Sequence, residues 1–231
     1  MSKSTKVLLI VLLVLIIDQS LKIWVKLSFP LKYEEFMFGF EWARLRFEEN
    51  PGMAFGWELP DPYGKLILSL FRIVAVSLLI YFIRQLIRAN AKTGLLVSFG
   101  LILAGAIGNI IDSAFYGLIF SGSYHDIATF MPEGGGYAGF LHGKVVDMLY
   151  FPILKGNFPD WFPFWAGERF LFFRPVFNIA DASITIGVVS IILFHRSFFN
   201  AEEAEQNTSE ETETKTDIAS EDSNSNPDTS I

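Results

Sequence analysis

Asp18, Asn109, Asp112, Asp147, Asn178 and Asp181 stand inside or at the edges of apolar runs. An ionisable group beside a run long enough to cross a bilayer is costly and by default marks function. Asp18 and Lys22 lie at i, i+4 with the acid first, so they share a helix face and can pair. Gly105, Asn109 and Asp112 fall at i, i+4, i+7 on one stripe, and Asn178 and Asp181 at i, i+3. Two carboxyls held close cannot both ionise, so they share one proton. One then serves as general base on a water while the other protonates a substrate carbonyl. Such a pair titrates as a unit. Asp147 and Asp181 suit this role best, each placed at an element boundary where hydrolytic water can reach it. Taken alone, Asp181 reads equally as a helix-start carboxylate held by first-turn N–H groups.

Other chemistries have little to stand on. There is no Cys, hence no disulfide, thiolate nucleophile or cysteine metal site. The histidines are His125, His142 and His195, with no HExxH and no Ser-His-Asp arrangement at the depth of the aspartates.

Apolar spans must position these groups. The chain has 231 residues, 51% hydrophobic and 16% aromatic, which fits a membrane protein rather than a soluble domain. The net charge of −7 gathers in residues 201–231, where ten acids meet one base (Lys215) for a net of −9. The remainder, 15 acids against 17 bases, is +2, so the charge says nothing of an acidic substrate and gives no sign of nucleic acid. That Glu/Ser/Thr/Asn-rich tail is predicted to be disordered. Spans are predicted over about 5–26, 65–88, 93–118 and 178–196. Residues 7–17 look like a signal-peptide core but lack a small-residue cleavage site, so the first span stays uncleaved. The fold class is a mainly α membrane protein: a four-transmembrane-helix bundle with a small outer-face β-rich cradle over 27–64. There Phe36, Phe38, Phe40 and Trp42 alternate at strand period, and aromatic rings suit a membrane surface. The loop Asn50-Pro-Gly-Met-Ala-Phe-Gly56 follows. Residues 119–177 form an outer-face loop.

Lys3, Lys6, Arg84, Arg88 and Lys92 lie at same-side span ends, so the positive-inside rule puts both termini in the cytoplasm, although Lys26, Lys32, Arg44 and Arg46 lie on the other side. With that topology the polar residues of three helices and one re-entering segment converge near the outer membrane boundary. Gly105 and Gly108 let the third helix pack closely. Three readings of the convergence remain at this level: a proteolytic site, a polar network that only holds the bundle together, and a proton- or ion-coupled carrier.

Five motifs then fall into order: Asp18-Gln-Ser-Leu-Lys22; Asn50-Pro-Gly-Met-Ala-Phe55; Gly105-Ala-Ile-Gly-Asn109-Ile-Ile-Asp112; His142-Gly-Lys-Val-Val-Asp147; and Phe177-Asn178-Ile-Ala-Asp181. In these, over about residues 5–198, the chain resembles the lipoprotein signal peptidases, also called signal peptidase II. The resemblance implies a monomeric aspartic intramembrane protease of the bacterial inner membrane, without metal or organic cofactor. Such an enzyme removes the signal peptide from prolipoproteins whose lipobox cysteine carries diacylglycerol. It implies that Asp147 and Asp181 are the catalytic pair, that Asn50 and Gly52 belong to a substrate-facing loop, and that Asp18, Lys22, Asn109, Asp112 and Asn178 support them. The outer strands would be a cradle lying on membrane lipid, and globomycin-type inhibitors would occupy the same cleft. Two departures stand out. The family usually has Arg directly after the Asp of the third motif, where this chain has Ser113; Arg72, in the second span, is a candidate substitute, against a reading in which it snorkels to the interface. Extra sequence also occurs at about 121–140, a lid or a partner-binding loop, and at 153–173.

Overall fold

The computed structural model describes residues 1–51, 63–161, 163–165, 167–172 and 175–195. Gly52, Ala54, Phe55 and the tail 201–231 lie outside the described residues. The chain divides into two units, Met1–Val188 and Val189–Ile231. The first holds the sheet and every polar residue of the five motifs. Of the second, the described residues are the end of the last helix and His195.

Helix α1 spans Lys3–Ser28 and starts behind Ser2, whose hydroxyl accepts the Thr5 N–H at 3.1 Å. Its first turns expose Leu8, Leu9, Leu12 and Leu13, while farther along the buried face carries Asp18, Lys22 and Lys26. Strands β1 (Glu34–Met37) and β2 (Phe40–Asn50) form an antiparallel hairpin. Its two-residue turn places Phe38 at φ 53° and Gly39 at φ 77°, the left-handed geometry that matches strand twist. The turn therefore falls inside the aromatic alternation that predicted the strands.

Helices α2 (Gly64–Arg88) and α3 (Thr93–Ile111) follow. The Lys3 ammonium caps the turn between them, donating to Asn90 O at 2.8 Å, Asn90 Oδ1 at 2.6 Å and Ala91 O at 2.7 Å. The start of α1 and the α2–α3 turn thus lie at one end of the molecule. The predicted third span is not one regular helix. It widens into a π-helical segment at Asp112–Tyr116 and closes with the short α4 (Gly117–Ile119). Widening frees carbonyl groups, and the following segment takes them up: Gly143 N donates to Ser113 O at 2.8 Å and Ala138 N to Gly117 O at 2.9 Å. A side chain at Gly143 would collide with Asp112 O, so glycine is needed at this approach.

The rest of the predicted outer loop contains β3 (Val145–Tyr150), the β4–β5 hairpin (Leu154–Asn157, Arg169–Phe172) and β6 (Val176–Phe177). A four-stranded antiparallel sheet has the order β1-β2-β3-β6. Asp147 stands within β3 rather than at an element boundary, because β2 and β6 pair on either side of that strand. One face of the sheet rests on a core of Val25, Phe47, Tyr116, Phe120, Val146 and Met148, which joins α1, the π-helical segment and the strands. Burying one such large apolar side chain stabilises by about 1.5–3 kcal/mol.

Among the described residues, three helical stretches are long and apolar enough to cross a membrane: Lys3–Ser28, Gly64–Arg88 and Thr93–Ile119. The last helix, α5, spans Ile179–Phe194 and has 16 residues. It rises about 24 Å, short of the ~30 Å of a bilayer's hydrocarbon core.

Candidate active site

The site begins at Lys22, whose side chain is fully buried. Its three ammonium protons meet three acceptors, Asp18 Oδ2, Asp112 Oδ2 and Asn109 Oδ1, each at 2.9 Å. The two acids then hold backbone. Asp18 Oδ1 accepts the N–H of Ala180 at 2.8 Å, and Asp112 Oδ2 accepts the N–H of Val146 at 3.2 Å. Each of these peptide groups belongs to the residue immediately before a candidate catalytic aspartate. Gln19 braces the same corner, donating to Asp112 Oδ1 at 2.9 Å and accepting from the Tyr116 hydroxyl at 3.1 Å.

Two asparagines carry the order outward. Asn109, its carbonyl oxygen held by Lys22, donates to Asp181 Oδ1 at 2.8 Å. Asn178 touches both aspartates: its side-chain amide donates to Asp147 Oδ1 at 2.7 Å and its backbone N–H to Asp181 Oδ2 at 3.3 Å. Its own carbonyl oxygen accepts the Asp181 N–H at 2.9 Å, which starts α5 as a capping interaction. Asn50, the last residue of β2, donates to Asp147 Oδ2 at 3.2 Å. Burial first, and then the neighbouring charge of Asp181, push the Asp147 carboxyl up to about 7, against the hydrogen bonds from Asn50 and Asn178. Asp147 is buried and Asp181 half-buried.

Close backbone packing makes this possible. A side-chain carbon at Gly105 would collide with Ala180 O, and one at Gly108 would sit 2.8 Å from Asp18 Oδ2. Arg72 extends from α2 and its guanidinium donates to Ser113 Oγ at 3.4 Å. Thus Asp18, Lys22, Asn50, Asn109, Asp112, Asn178, Asp147 and Asp181 form one connected polar cluster. Arg72 meets it through Ser113, whose hydroxyl donates to Asn109 O at 3.0 Å. Among the described residues, no three His, Cys, Asp or Glu side chains group as metal ligands.

Sequence reasoning missed a second cluster, Lys26, Glu49, Ser123 and Lys144. Lys26 and Glu49 form an ion pair whose side chains are 0% and 2% exposed. The signal was available: Asp18, Lys22 and Lys26 make one i, i+4, i+8 stripe, and Glu49 directly precedes Asn50.

The sequence model of the signal peptidase (SPase) II family matches residues 10–198. Lipoprotein signal peptidases from two strains of Porphyromonas gingivalis are each 51% identical over 185 residues, covering 80% of this chain and 80% of the relative. The lipoprotein signal peptidase of Amoebophilus asiaticus is 38% identical over 190 residues, covering 81% of this chain and 76% of its own length. Two solved bacterial membrane enzymes, obtained by the in meso method, share the fold. One has a TM-score of 0.54 at 22% identity, covering 82% of this chain and 86% of the other. The second has a TM-score of 0.53 at 23% identity, covering 82% and 91%. With a match over most of its length and half of its aligned residues shared with curated relatives, the chain belongs to the signal peptidase II family.

Proposed function

We propose that this peptidase removes the signal peptide from diacylglyceryl-modified prolipoproteins, cleaving before the lipidated cysteine, with Asp147 and Asp181 as its catalytic pair. The observation that carries the mechanism is the bracket formed by Asn178, which donates to Asp147 through its side chain and to Asp181 through its backbone. Two carboxyls sharing such a partner can hold a single proton between them. Asp147, pushed up to about 7, keeps that proton at rest. Asp181, more open to solvent, takes a proton from water as the water oxygen bonds to the scissile carbonyl carbon. Asp147 passes its proton to the carbonyl oxygen, giving a neutral tetrahedral diol. Collapse of the diol breaks the C–N bond: the proton held by Asp181 goes to the departing amine, and one diol hydroxyl gives its proton back to Asp147 as the carbonyl re-forms, restoring the resting pair. Neither a metal nor an organic cofactor enters these steps.

The setting follows from the same reading. All four apolar helices span the bacterial cytoplasmic (inner) membrane as a four-helix bundle, with both termini cytoplasmic and the pair near the outer face. A local thinning of the bilayer accommodates the short α5. The hairpin aromatics Phe36, Phe40 and Trp42, each about half exposed, rest on lipid beside the acyl groups of the substrate. Asn50 and Gly52 border the scissile segment, and Gly52 and Ala54 admit only small residues before the cleavage site. Globomycin-type inhibitors fill the same cleft, and the enzyme acts as a monomer. Deletion of residues 201–231 leaves cleavage intact.

The test uses purified protein and a diacylglyceryl-modified precursor peptide. Asp147→Asn and Asp181→Asn should each abolish cleavage while the protein stays folded in membranes. Cleavage by either variant at the parent rate sinks the two-aspartate mechanism.

A further inference from the structure

Adjacent residues of an extended strand point to opposite faces. At the end of β2 this puts Asn50 against Asp147, and Glu49 under the sheet against α1. There Glu49 is clamped. Lys26 pairs with it, Ser123 Oγ donates to Glu49 Oε1 at 2.8 Å, and Lys144 Nζ lies 3.3 Å from Oε2. Burial opposes ionisation of Glu49, but the Lys26 charge and the hydrogen bonds from Lys26 and Ser123 override it and hold the carboxyl below its ordinary value.

The clamp also fastens the inserted segment. Lys26 donates to Ser123 Oγ at 3.0 Å and lies 5.0 Å from the centre of the Tyr137 ring. The Tyr137 hydroxyl accepts the Lys144 N–H at 2.7 Å, one residue before β3 begins. The backbone of the segment is bonded to α4 and the π-helical segment, through Met131 N to Ile119 O at 2.8 Å as well as the contacts above. Residues 121–144 are therefore a collar tied to the strands of the site, not a free flap. A buried ion pair is weak grounds for stability, since an apolar pair of similar volume often does as well. What the Lys26–Glu49 pair supplies is a fixed rotation of β2 at the residue next to Asn50. In register, Glu49 lies opposite Val146 and Asn50 opposite Val145, so the same strand end also meets the peptide that carries Asp147.

We propose that Glu49, clamped by Lys26, Ser123 and Lys144, is a positioning residue that sets the Asn50 amide against Asp147, and that the 121–144 collar contributes to cleavage through this clamp. The proposal rests on the two-aspartate reading.

The experiment is a kinetic double-mutant cycle on the full chain in lipid nanodiscs, with the diacylglyceryl-modified precursor peptide as substrate. Glu49→Gln should lower kcat about tenfold with KM changed less than about twofold. Ser123→Ala, which removes one bond to Glu49 and leaves the ion pair, should lower kcat about threefold. Each loss should largely vanish when measured in an Asn50→Ala background, because the clamp acts through that side chain. Parent-like kcat in both Glu49→Gln and Ser123→Ala overturns the proposal. So do losses that simply multiply with that of Asn50→Ala. If Glu49→Gln does not accumulate, Ser123→Ala decides alone by the same criteria. Asp147→Asn is the control: parent-like cleavage by that variant refutes the dyad, whereas an inactive Asp147→Asn beside unaffected clamp variants refutes only the clamp.

Discussion

The N–H of Ala180 donates to Asp18 Oδ1 at 2.8 Å, so α1 holds the backbone of the residue immediately before Asp181. The N–H of Val146 donates to Asp112 Oδ2 in the corresponding way, immediately before Asp147. Lys22 lies 2.9 Å from both of the acids involved. One buried cation therefore fixes the backbone beneath each member of the proposed pair, although it touches neither carboxyl.

Lys22→Met follows from that arrangement. Removing the cation leaves Asp18 and Asp112 buried and uncompensated, and breaking a buried ion pair costs about 3–5 kcal/mol. The variant should unfold at a markedly lower temperature in detergent, with cleavage lost together with the fold. Adding Asp112→Asn should recover part of the stability, because one stranded charge is then removed. A Lys22→Met protein as heat-stable as the parent would contradict this account.

Asn178 is the second case. Asn178→Ala removes the donor to Asp147 Oδ1 and the acceptor for the Asp181 N–H. The carboxyls then lose their mutual orientation, and kcat should fall about a hundredfold with a smaller change in KM. Asn178→Asp should be worse than alanine, since it sets a third carboxylate against the pair. Steady-state kinetics on the two purified variants, ranked alanine above aspartate, checks it.

Much of this was legible in the sequence, and the reasons differ by element. Helical spacing put Asp18 with Lys22 and Asn178 with Asp181 on shared faces, because 3.6-residue periodicity is a local property. The role of Gly105 and Gly108 followed from the absence of a side chain on a packed stripe. Asp147 was harder. Its strand is defined by pairing with β2, about a hundred residues earlier, and no local pattern announces that partner. The π-helical segment at Asp112–Tyr116 was also hidden, since the Ser113 carbonyl it frees is matched by the Gly143 N–H, thirty residues later in the chain, with no local pattern to announce the contact. For Lys26 the helical stripe with Asp18 and Lys22 was legible but its pairing was not, because Glu49, Ser123 and Lys144 come together only in three dimensions.

The pH dependence can be signed. Between the ordinary aspartate value of about 4 and about 7, the folded protein keeps a proton on Asp147 that the unfolded chain has released. Stability from this group is therefore full at the acid end of that window and lost as pH rises through about 7. Asp147→Asn should gain on the parent in thermal stability at pH 8, and the gain should shrink towards pH 5. In kinetics, kcat/KM should fall above about 7 as the pair loses its last proton. The Asn50 amide favours the ionised carboxyl, so Asn50→Ala should move that alkaline limb to higher pH. A limb that moves to lower pH in Asn50→Ala would contradict the assignment of the proton to Asp147.

The resemblance read from the third motif leads one to expect an arginine where this chain has Ser113, and here the guanidinium of Arg72 approaches from α2 and donates to the Ser113 hydroxyl at 3.4 Å. Ser113 is buried and donates to the backbone carbonyl of Asn109, the same residue whose side-chain amide donates to Asp181. A cation delivered from a neighbouring helix places its charge in the same neighbourhood as one carried by position 113 itself. Arg72→Ala should therefore lower the cleavage rate well below that of Arg84→Ala, an exposed arginine near the far end of α2. The sharper check is Ser113→Arg in the Arg72→Ala background, which should restore most of the lost rate by returning the charge to the third-motif position. Equal rates for Arg72→Ala and Arg84→Ala would reduce Arg72 to a residue that merely reaches for the interface. Loss without recovery in the double variant would mean that Arg72 acts through its own geometry and not as a stand-in for the missing arginine.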